Sequence, residues 1–242
     1  MLDPGTPRLW ERPGTDISWA ATPDPEVTVE LMPGFAASLG VNGWARIRCY
    51  QRQDGHPYNC RVVDERPYGL GFGAAARVIV ASGELKLGRA GVVPVPGEMQ
   101  TIVRFSVQDA PVWKGPEPTK TQLQLARQLV ERALERDEPE ENDVLDGLDY
   151  DRRLVVQPWV DELFVEVRAQ HPAMMAIQLA RVASENDLRR LLAGQYVALP
   201  DEDLFDSAAP VSEAIENAFE ELKRRYCTQY SCDSSEGSNQ TR

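Results

Sequence analysis

The residue types that could perform acid–base chemistry are sparse in this sequence. There are two histidines, His56 and His171, and each stands directly before a proline. General acid–base catalysis needs a partner group within hydrogen-bonding distance, and the sequence indicates none for either histidine. Surface positions in turns or junctions are therefore favoured for both, and we expect no catalytic residues.

The run Gly69-Leu-Gly-Phe-Gly73 precedes a predicted helix, whose first N–H groups would be able to hold a phosphate. A phosphate-binding loop also needs a Gly-Lys-Ser/Thr sequence, or an acidic residue about twenty positions further on after a βαβ strand. Neither pattern accompanies the run. We interpret its glycines as residues that permit a tight strand-to-helix turn.

Metal binding is not indicated either. Residues 137–151 include eight acidic residues in fifteen. No Asp-x-Asp-x-Asp-Gly frame with a Glu at the twelfth position fits them, so a solvated acidic loop is a better prediction than a calcium loop. With two histidines and no Cys-x-x-Cys pair, the chain has no zinc signature. We expect neither a metal nor a cofactor.

The four cysteines fall into two pairs along the chain. Cys49 and Cys60 stand on two neighbouring predicted strands, whereas Cys227 and Cys232 flank Thr-Gln-Tyr-Ser. Disulfides within the two pairs would suit an oxidising compartment. Buried thiols that act as small hydrophobic side chains are the alternative for Cys49 and Cys60.

The elements that would position these residues lie between residues 43 and 107. Residues 44–50 and 59–63 alternate apolar and polar side chains, as half-buried strands do. Asp54-Gly55 between them is a strong hairpin signal, because glycine accepts the positive φ of a tight turn. A two-residue loop there places Ile47 opposite Val62 and the two cysteines opposite each other, so that the apolar residues share one face.

A helix and a third strand complete this region. The apolar residues Phe72, Ala76 and Ile79, at spacings of four and three, predict a helix over 72–82. A strand follows at 99–107. The predicted fold class is therefore α+β, with a small ββαβ antiparallel sheet domain and one helix packed on its apolar face.

In this order the residues resemble the C-terminal domain of TonB-family proteins, the periplasmic end of a bacterial energy transducer. The resemblance covers roughly residues 25–108, about a third of the chain. Its most specific part is Pro67-Tyr-Gly-Leu-Gly-Phe-Gly-Ala-Ala-Ala76. Met32-Pro33, the Asp54-Gly55 hairpin, Cys60-Arg-Val-Val63 and Val103-Arg-Phe105 also match.

The resemblance implies a non-enzymatic protein-binding module. In the TonB family the strand after the helix, here about 98–107, takes the TonB-box peptide of an outer-membrane receptor by strand addition. Gln100, Ile102 and Arg104 would then lie along the outer face of that strand, with Ser106 beyond them. The implied partner is an extended, TonB-box-like segment of a receptor, in envelope transport. Self-pairing of sheet edges into a homodimer is the other interaction that such an edge permits.

Composition limits the partners and the location. The net charge of −12 and a pI near 4.7 argue against nucleic acid or an anionic membrane surface. No apolar run approaches the roughly eighteen residues of a membrane-spanning helix, and the first residues show no signal peptide. The resemblance implies a periplasmic location, whereas the start as given predicts a cytoplasmic one.

The remaining chain predicts an arm, a linker and a helical half. Residues 1–24 are rich in proline and predict an extended arm before a domain at 25–110, and 111–120 predict a Pro-rich linker. Beyond the linker the apolar period lengthens, so 121–232 predict a four- to five-helix bundle. A disordered tail is expected at 233–242.

Three local predictions within the helical half can be checked directly. Residues 154–169 predict one continuous helix, and Pro172 is expected to open the next helix. The acidic stretch at 201–205 is expected to form a short turn.

Two other functions are open on the sequence alone. The helical half would act structurally if it only oligomerised the chain or capped the sheet. An enzyme with its site between sheet and bundle would use acids such as Asp161, Glu162 or Asp201, although their spacing does not indicate a site. A set of arginines is predicted to face away from the helix, either to recognise carboxylates or to pair with Asp64 and Glu65: Arg46, Arg48, Arg61 and Arg104.

Overall fold

The structure is a computed structural model. It describes residues 17–21, 31–52, 56–87, 98–107, 113–135, 143–200 and 202–234. Over these ranges the protein combines a small three-stranded antiparallel sheet, a two-stranded sheet and eight α-helices. The mixed α+β class predicted from the sequence is confirmed.

The elements before the proline-rich segment alternate between strands and short helices. In chain order they are β1 (Ile17–Ala21), α1 (Gly34–Ser38), β2 (Gly43–Gln51), β3 (Pro57–Arg66), α2 (Phe72–Ser82), β4 (Glu84–Leu87) and β5 (Glu98–Phe105).

The elements after that segment are helical. They are α3 (Lys120–Leu134), a 3-10 turn (Asp143–Leu145), α4 (Tyr150–Leu163), α5 (Val165–Val182), α6 (Glu185–Leu192), α7 (Glu202–Ser207) and α8 (Glu213–Tyr230). The described part of this half therefore holds six α-helices, where the sequence predicts four or five. The additional helix is α7, at the position of the expected turn.

The described residues separate into two compact units, each built from more than one stretch of the chain. The sheet unit contains the strands together with 143–157 and 223–234, and the helical unit contains 113–135 and 158–222. The sequence prediction instead places one boundary in the linker. Periodicity could not show that later segments return to the sheet unit, because it does not reveal which partners their apolar side chains bury.

The β2–β3 hairpin has the predicted pairing at its centre and a different one at its tip. Ile47 lies opposite Val62, as predicted. Near the tip, Gln51 lies opposite Pro57, and the Arg52 N–H donates to the His56 carbonyl at 3.0 Å. This register is one residue away from that of a two-residue loop. The predicted turn residues 54 and 55 lie outside the described residues.

Helix α2 covers the apolar face of the main sheet. Ala45, Ile47 and Cys49 on β2 are 0% exposed. The Phe72 ring, at the start of α2, lies 5.3 Å from the Phe105 ring between centroids. The helix has the bounds that its spacing predicts, and its apolar stripe is buried as expected.

The sequence does not predict the two-stranded sheet. β1 pairs antiparallel with β4, with Ile17 opposite Leu87. Residues 17–21, which the sequence assigns to an extended arm, are thus part of a sheet. These strands have five and four residues, and alternation over so few positions does not distinguish a strand from an irregular segment.

The second half of the acidic stretch packs into the sheet unit through two leucines, whereas its acids Asp146 and Asp149 are exposed, as a solvated acidic segment predicts. Leu145 and Leu148 are 4% and 6% exposed. The Phe35 N–H of α1 donates to the Asp146 carbonyl at 2.8 Å. Two leucines hardly change the acidic composition of this stretch, but their burial is what packs the segment into the sheet unit. Residues 136–142 lie outside the described ranges.

The helical unit packs around α3 and α5. Thr119 caps α3 in a capping box: its hydroxyl accepts from Gln122 N–H at 3.2 Å, and the Gln122 side chain accepts from Thr119 N–H at 2.9 Å. Small and apolar residues fill the space between α3, α5 and α6; they are Ala126, Val130, Ala176, Ala180, Ala183 and Leu188.

The boundary between α4 and α5 differs from the prediction. Pro172 lies inside α5 instead of opening it, and the chain breaks earlier, at Phe164. Proline favours the first turn of a helix because it lacks an N–H, which is why the sequence suggests a start there. Phe164 is buried and packs edge-on against Phe219, with ring centroids 4.9 Å apart. This tertiary contact, which the sequence pattern does not show, lies at the break.

Gly71 in the sheet unit, compared with Gly194 in the helical unit, provides a test of close packing, because both glycines have a positive φ. At Gly71 (φ +85) an added Cβ would lie 2.7 Å from the Gly147 carbonyl oxygen, whereas at Gly194 (φ +74) it would meet nothing within 4 Å. We expect Gly194→Ala to lower the free energy of unfolding by about 1 kcal/mol, from backbone strain alone. Gly71→Ala should cost roughly 3 kcal/mol, because a steric clash is added to that strain.

Urea unfolding followed by circular dichroism measures both losses. Equal losses for the two variants would show that the approach of Gly71 to Gly147 does not contribute to stability.

Candidate functional site

The outer edge of β5 is the first candidate site. The main sheet has the order β3–β2–β5, so β5 bonds to β2 along one edge, and no other strand of the described chain bonds to it. Its register with β2 is uninterrupted, from Gly43 opposite Phe105 to Tyr50 opposite Glu98. Such a regular edge presents a row of main-chain N–H and C=O groups to a further strand.

The opposite edge of the sheet, β3, is irregular. Its pairing with β2 shifts twice, between Arg46 and Ile47 and between Arg48 and Tyr50. Asn59 has a positive φ of 50°. Irregularities of this kind twist an edge and discourage the addition of another strand. The two edges of this sheet therefore differ in their capacity to pair.

The predicted site residues lie at different depths. Gln100 and Arg104 are partly exposed, but Ile102 is only 4% exposed. β5 ends at Phe105, so Ser106 lies beyond the strand, in contrast to the predicted span to residue 107. The Val107 N–H donates to Asn42 Oδ1 at 2.8 Å, and the segment has left the strand there.

Arginines occupy the sheet face away from α2. Register places Arg48 opposite both Arg61 and Gln100, and Arg104 opposite Trp44. The Arg46 guanidinium lies 5.6 Å from the Trp44 ring centroid. In the amide orientation of Gln100 that satisfies both side chains, its oxygen accepts from Arg48 Nε at 2.7 Å and from Nη2 at 2.5 Å.

The segment directly after α8 contacts this face. Trp44 Nε1–H donates to the Ser234 carbonyl at 2.9 Å, and Trp44 is 5% exposed. Both cysteine pairs form disulfides in the structure: Cys49–Cys60 joins β2 to β3, and Cys227–Cys232 closes the turn after α8.

The glycine turn before α2 is a second candidate site, and the chain's own carboxylate fills it. Glu65 Oε1 accepts from Gly69 N–H at 2.6 Å, and Oε2 accepts from Gly73 N–H at 2.5 Å. These are N–H groups of the kind that would hold a phosphate. Glu65 does not pair with the arginine face, as one sequence interpretation proposed, but serves as the anion at the start of the helix.

A groove of about 670 Å³ lies over this turn, lined by Val62, Val63, Asp64, Glu65, Tyr68, Arg77 and Asp149 among others. Two of its acids have structural partners. Glu65 bonds the glycine turn, and Asp149 Oδ1 accepts from the Arg152 N–H at 2.9 Å, which caps α4. A catalytic acid needs to face a substrate, whereas these two hold backbone groups.

Arg152 connects the glycine turn to α8. Its Cζ atom lies 5.1 Å from the centroid of the Tyr68 ring and 4.8 Å from the centroid of the Tyr230 ring. It donates to the Tyr68 carbonyl oxygen, and to the Tyr226 hydroxyl at 2.9 Å. Asp149 lies 3.6 Å from it. Arg152 thus makes two cation–π contacts, one ion pair and two donated hydrogen bonds. These contacts hold the glycine turn and α8 together within the sheet unit.

The Tyr226 hydroxyl has a clearly shifted pKa. Burial raises the pKa of Tyr226 to about 12, and the Arg152 guanidinium opposes that rise in part. The ring is 0% exposed and packs edge-on against Phe35, with centroids 5.0 Å apart. Burial disfavours the phenolate, so the hydroxyl stays protonated and donates or accepts as a neutral group.

The remaining candidate residues do not assemble into a site. His56 follows the hairpin tip and His171 lies within α5, and both are exposed. Asp161 and Glu162 are exposed on α4, and Asp201 lies outside the described residues. Within the described ranges, no three His, Cys, Asp or Glu side chains come together as metal ligands. No helix in those ranges has the length and apolar character needed to cross a bilayer.

Comparison of the chain with protein-family models, with curated proteins and with solved structures gives no match in any of the three.

Sequence reasoning missed Glu65 and Arg152. A carboxylate four positions before the first of several alternating glycines is a weak signal for the capping role of Glu65. The sequence gives no such signal for Arg152. Its partners Tyr68, Tyr226 and Tyr230 all lie 74 to 84 residues away along the chain.

Glu65→Gln tests the internal anion at the start of α2. The amide keeps one acceptor but turns an NH₂ group toward a backbone N–H, so we expect the free energy of unfolding to fall by about 2 to 3 kcal/mol. Asp64→Asn is the matched control: its ion pair with Arg66 at 3.8 Å is exposed and should contribute less than about 1 kcal/mol. Chemical unfolding measures both, and a stable Glu65→Gln variant would contradict the assignment.

The raised pKa of Tyr226 predicts that the protein loses stability at high pH. Its pKa is about 12 in the folded protein and about 10 in an unfolded chain. The folded state therefore retains the proton more tightly, and unfolding releases it as pH rises from 10 to 12. We expect the free energy of unfolding to decrease across this window by about 2 to 3 kcal/mol.

Urea unfolding between pH 8 and 12 measures that slope. Tyr226→Phe should remove this component, whereas Tyr196→Phe, which alters a ring that is 87% exposed, should retain it. An unchanged slope in Tyr226→Phe would rule out this origin.

Proposed function

We propose that this chain is a non-enzymatic protein-binding module that takes an extended peptide by strand addition at the outer edge of β5. The observation that carries the proposal is the uninterrupted β2–β5 register, with no described strand bonded to the other edge of β5. In an antiparallel strand about half of the main-chain N–H and C=O groups point to each side. Those on the outer side are the groups that an added strand would use.

The composition of β5 supports the same edge. Its central residues, Met99 to Val103, contain no charge and no proline, and charged or proline residues are what commonly block an edge. β3 is the poorer acceptor because its register shifts twice. An incoming strand would therefore meet one regular edge and one irregular edge.

The order β2, β3, α2, β5, with α2 on one face, supports the finer ββαβ arrangement and its resemblance to the TonB C-terminal domain. β4 intervenes in sequence but pairs with β1 instead of joining this sheet. Under the proposal, the partner is an extended segment of another protein, of the TonB-box-like kind that the resemblance implies, and the setting is the bacterial envelope. Pairing with β5 of a second copy would use the same main-chain groups.

The test is an amide chemical-shift titration of the full chain with blocked, extended peptides rich in valine and threonine. We expect shifts to concentrate in residues 98–105 and in the adjacent residues of β2. A matched peptide, N-methylated at alternate residues so that it cannot donate to β5, should bind at least tenfold more weakly, because strand addition depends on main-chain bonds.

Three outcomes would count against the proposal. Equal binding of the methylated peptide would show that main-chain pairing is not used. Shifts confined to β3 would place the site at the other edge. Concentration-dependent broadening of 98–105 without peptide, with dimer seen in sedimentation, would assign the edge to self-association.

A further inference from the structure

We propose that the Cys227–Cys232 disulfide is a site of thiol–disulfide exchange, which a dithiol reductant opens while the Cys49–Cys60 disulfide stays closed. Opening this bridge releases the Ser234 carbonyl from the Trp44 indole, on the face of the sheet away from α2. The proposal is independent of strand addition at β5 and concerns the segment that follows α8.

The two disulfides differ in how far their cysteines are buried. Cys227 and Cys232 are both partly exposed. Cys49 is 0% exposed on the face of β2 that α2 covers, and its partner Cys60 is partly exposed. Attack on Cys60 would leave the Cys49 thiolate among apolar side chains, which disfavour its charge. Exchange requires access to one sulfur and release of the other as a thiolate, so the bridge after α8 reacts faster.

The Cys227–Cys232 bridge closes a turn with a disfavoured backbone conformation. Cys227 belongs to the last turn of α8, and Cys232 lies five residues after it. Ser231 between them has a φ of 59°, and its N–H donates to the Cys227 carbonyl at 3.1 Å. Residues other than glycine are strained at such a φ. The turn therefore has a local tendency to open, which the covalent bridge opposes.

The segment held by the bridge contacts the central strand of the main sheet. Ser234, two residues after Cys232, carries the carbonyl oxygen that accepts from Trp44 Nε1–H at 2.9 Å. Trp44 is 5% exposed. With the bridge closed, Ser234 stays within two residues of a fixed point. With the bridge open, its position depends on the strained Ser231 conformation, so the bond to Trp44 opens more often.

The exchange step transfers two electrons from the reductant to the bridge. A thiolate of the dithiol attacks one sulfur and forms a mixed disulfide, while the other cysteine leaves as a thiolate and takes a proton from water. The second thiolate of the reductant then attacks its own sulfur in the mixed disulfide. The reductant ends as a disulfide, and the protein holds Cys227 and Cys232 as two thiols.

The first measurement is the rate at which each cysteine is alkylated by iodoacetamide in the full chain, with dithiothreitol present and without denaturant. Peptide mass spectrometry identifies the labelled residues. We expect Cys227 and Cys232 to be labelled about tenfold faster or more than Cys49 and Cys60. In denaturant the four rates should be equal, which controls for the reagent. Equal rates in the native protein would overturn the selectivity on which the proposal depends.

The second measurement is the hydrogen-exchange rate of the Trp44 indole N–H, followed by NMR and assigned by its loss in Trp44→Phe. We expect this exchange to become about five- to tenfold faster after reduction, because the acceptor is released. The Trp113 indole N–H, which donates to the Pro116 carbonyl at 3.3 Å in the helical unit, is the internal control and should keep its rate.

Two variants test the link between the bridge and the indole. The double variant Cys227→Ser with Cys232→Ser should show fast Trp44 exchange without reductant, and no further response when reductant is added. Ser231→Gly keeps both cysteines but removes the strain at positive φ. Its turn should persist better after reduction, so the increase in Trp44 exchange should fall to about twofold or less.

Two further results would contradict the proposal. Labelling of Cys227 and Cys232 with an unchanged Trp44 exchange rate would show that the bridge does not hold the segment. Reduction that accelerates exchange of the α2 amides as much as that of the Trp44 indole would show unfolding of the sheet unit, and not release of one segment.

Discussion

The sheet unit depends on the two hydrogen bonds that the Glu65 carboxylate accepts. Glu65 is the second-to-last residue of β3 and, by accepting from the N–H groups of Gly69 and Gly73, it fixes the turn into α2. The first N–H groups of a helix have no backbone partners, and that end of the helix carries partial positive charge. A single half-buried anion can bond those N–H groups and also balance the charge. Gly71 of this turn approaches Gly147 closely, and Arg152 of α4 donates to the Tyr68 carbonyl oxygen in the same turn. The glycine turn, the helix α2 that follows it and α4 are therefore positioned from one point.

This use of charge explains why the groove beside the turn supports a structural interpretation more than a catalytic one. Glu65 and Asp149 bond backbone N–H groups, and Arg152 bonds a carbonyl and the Tyr226 hydroxyl. These polar groups already make hydrogen bonds within the protein, and a reacting substrate would have to break those bonds to engage them. The main chain of β5 differs, because its outer edge has no bonded strand within the described residues. Under the proposed function, an added strand would bond these backbone groups, and the neighbouring side chains would select the partner.

Some features of the candidate site follow from sequence and others do not. Alternation placed Gln100 and Arg104 together on one face, since the period of a strand fixes which residues share a face. It could not show that Ile102 is almost fully buried, nor that Arg48 reaches across to Gln100. The rotamer of a long arginine side chain depends on its neighbours on other strands. Likewise, the cysteine spacing allowed either thiols or disulfides, and the approach of the two strands decides between them.

Local signals in the sequence determined the elements whose stability is local: the bounds of α2, the Ile47–Val62 pairing, the helical character of residues 120–134 and the α+β class. Period, turn residues and capping act over a few neighbouring positions, and can be read without knowing the fold. Only the tertiary structure decided that residues 143–157 and 223–234 belong with the sheet, that β1 pairs with β4, and that Pro172 lies inside a helix. Each of these depends on contacts between residues far apart in the chain, where burial of a few apolar side chains outweighs local preference.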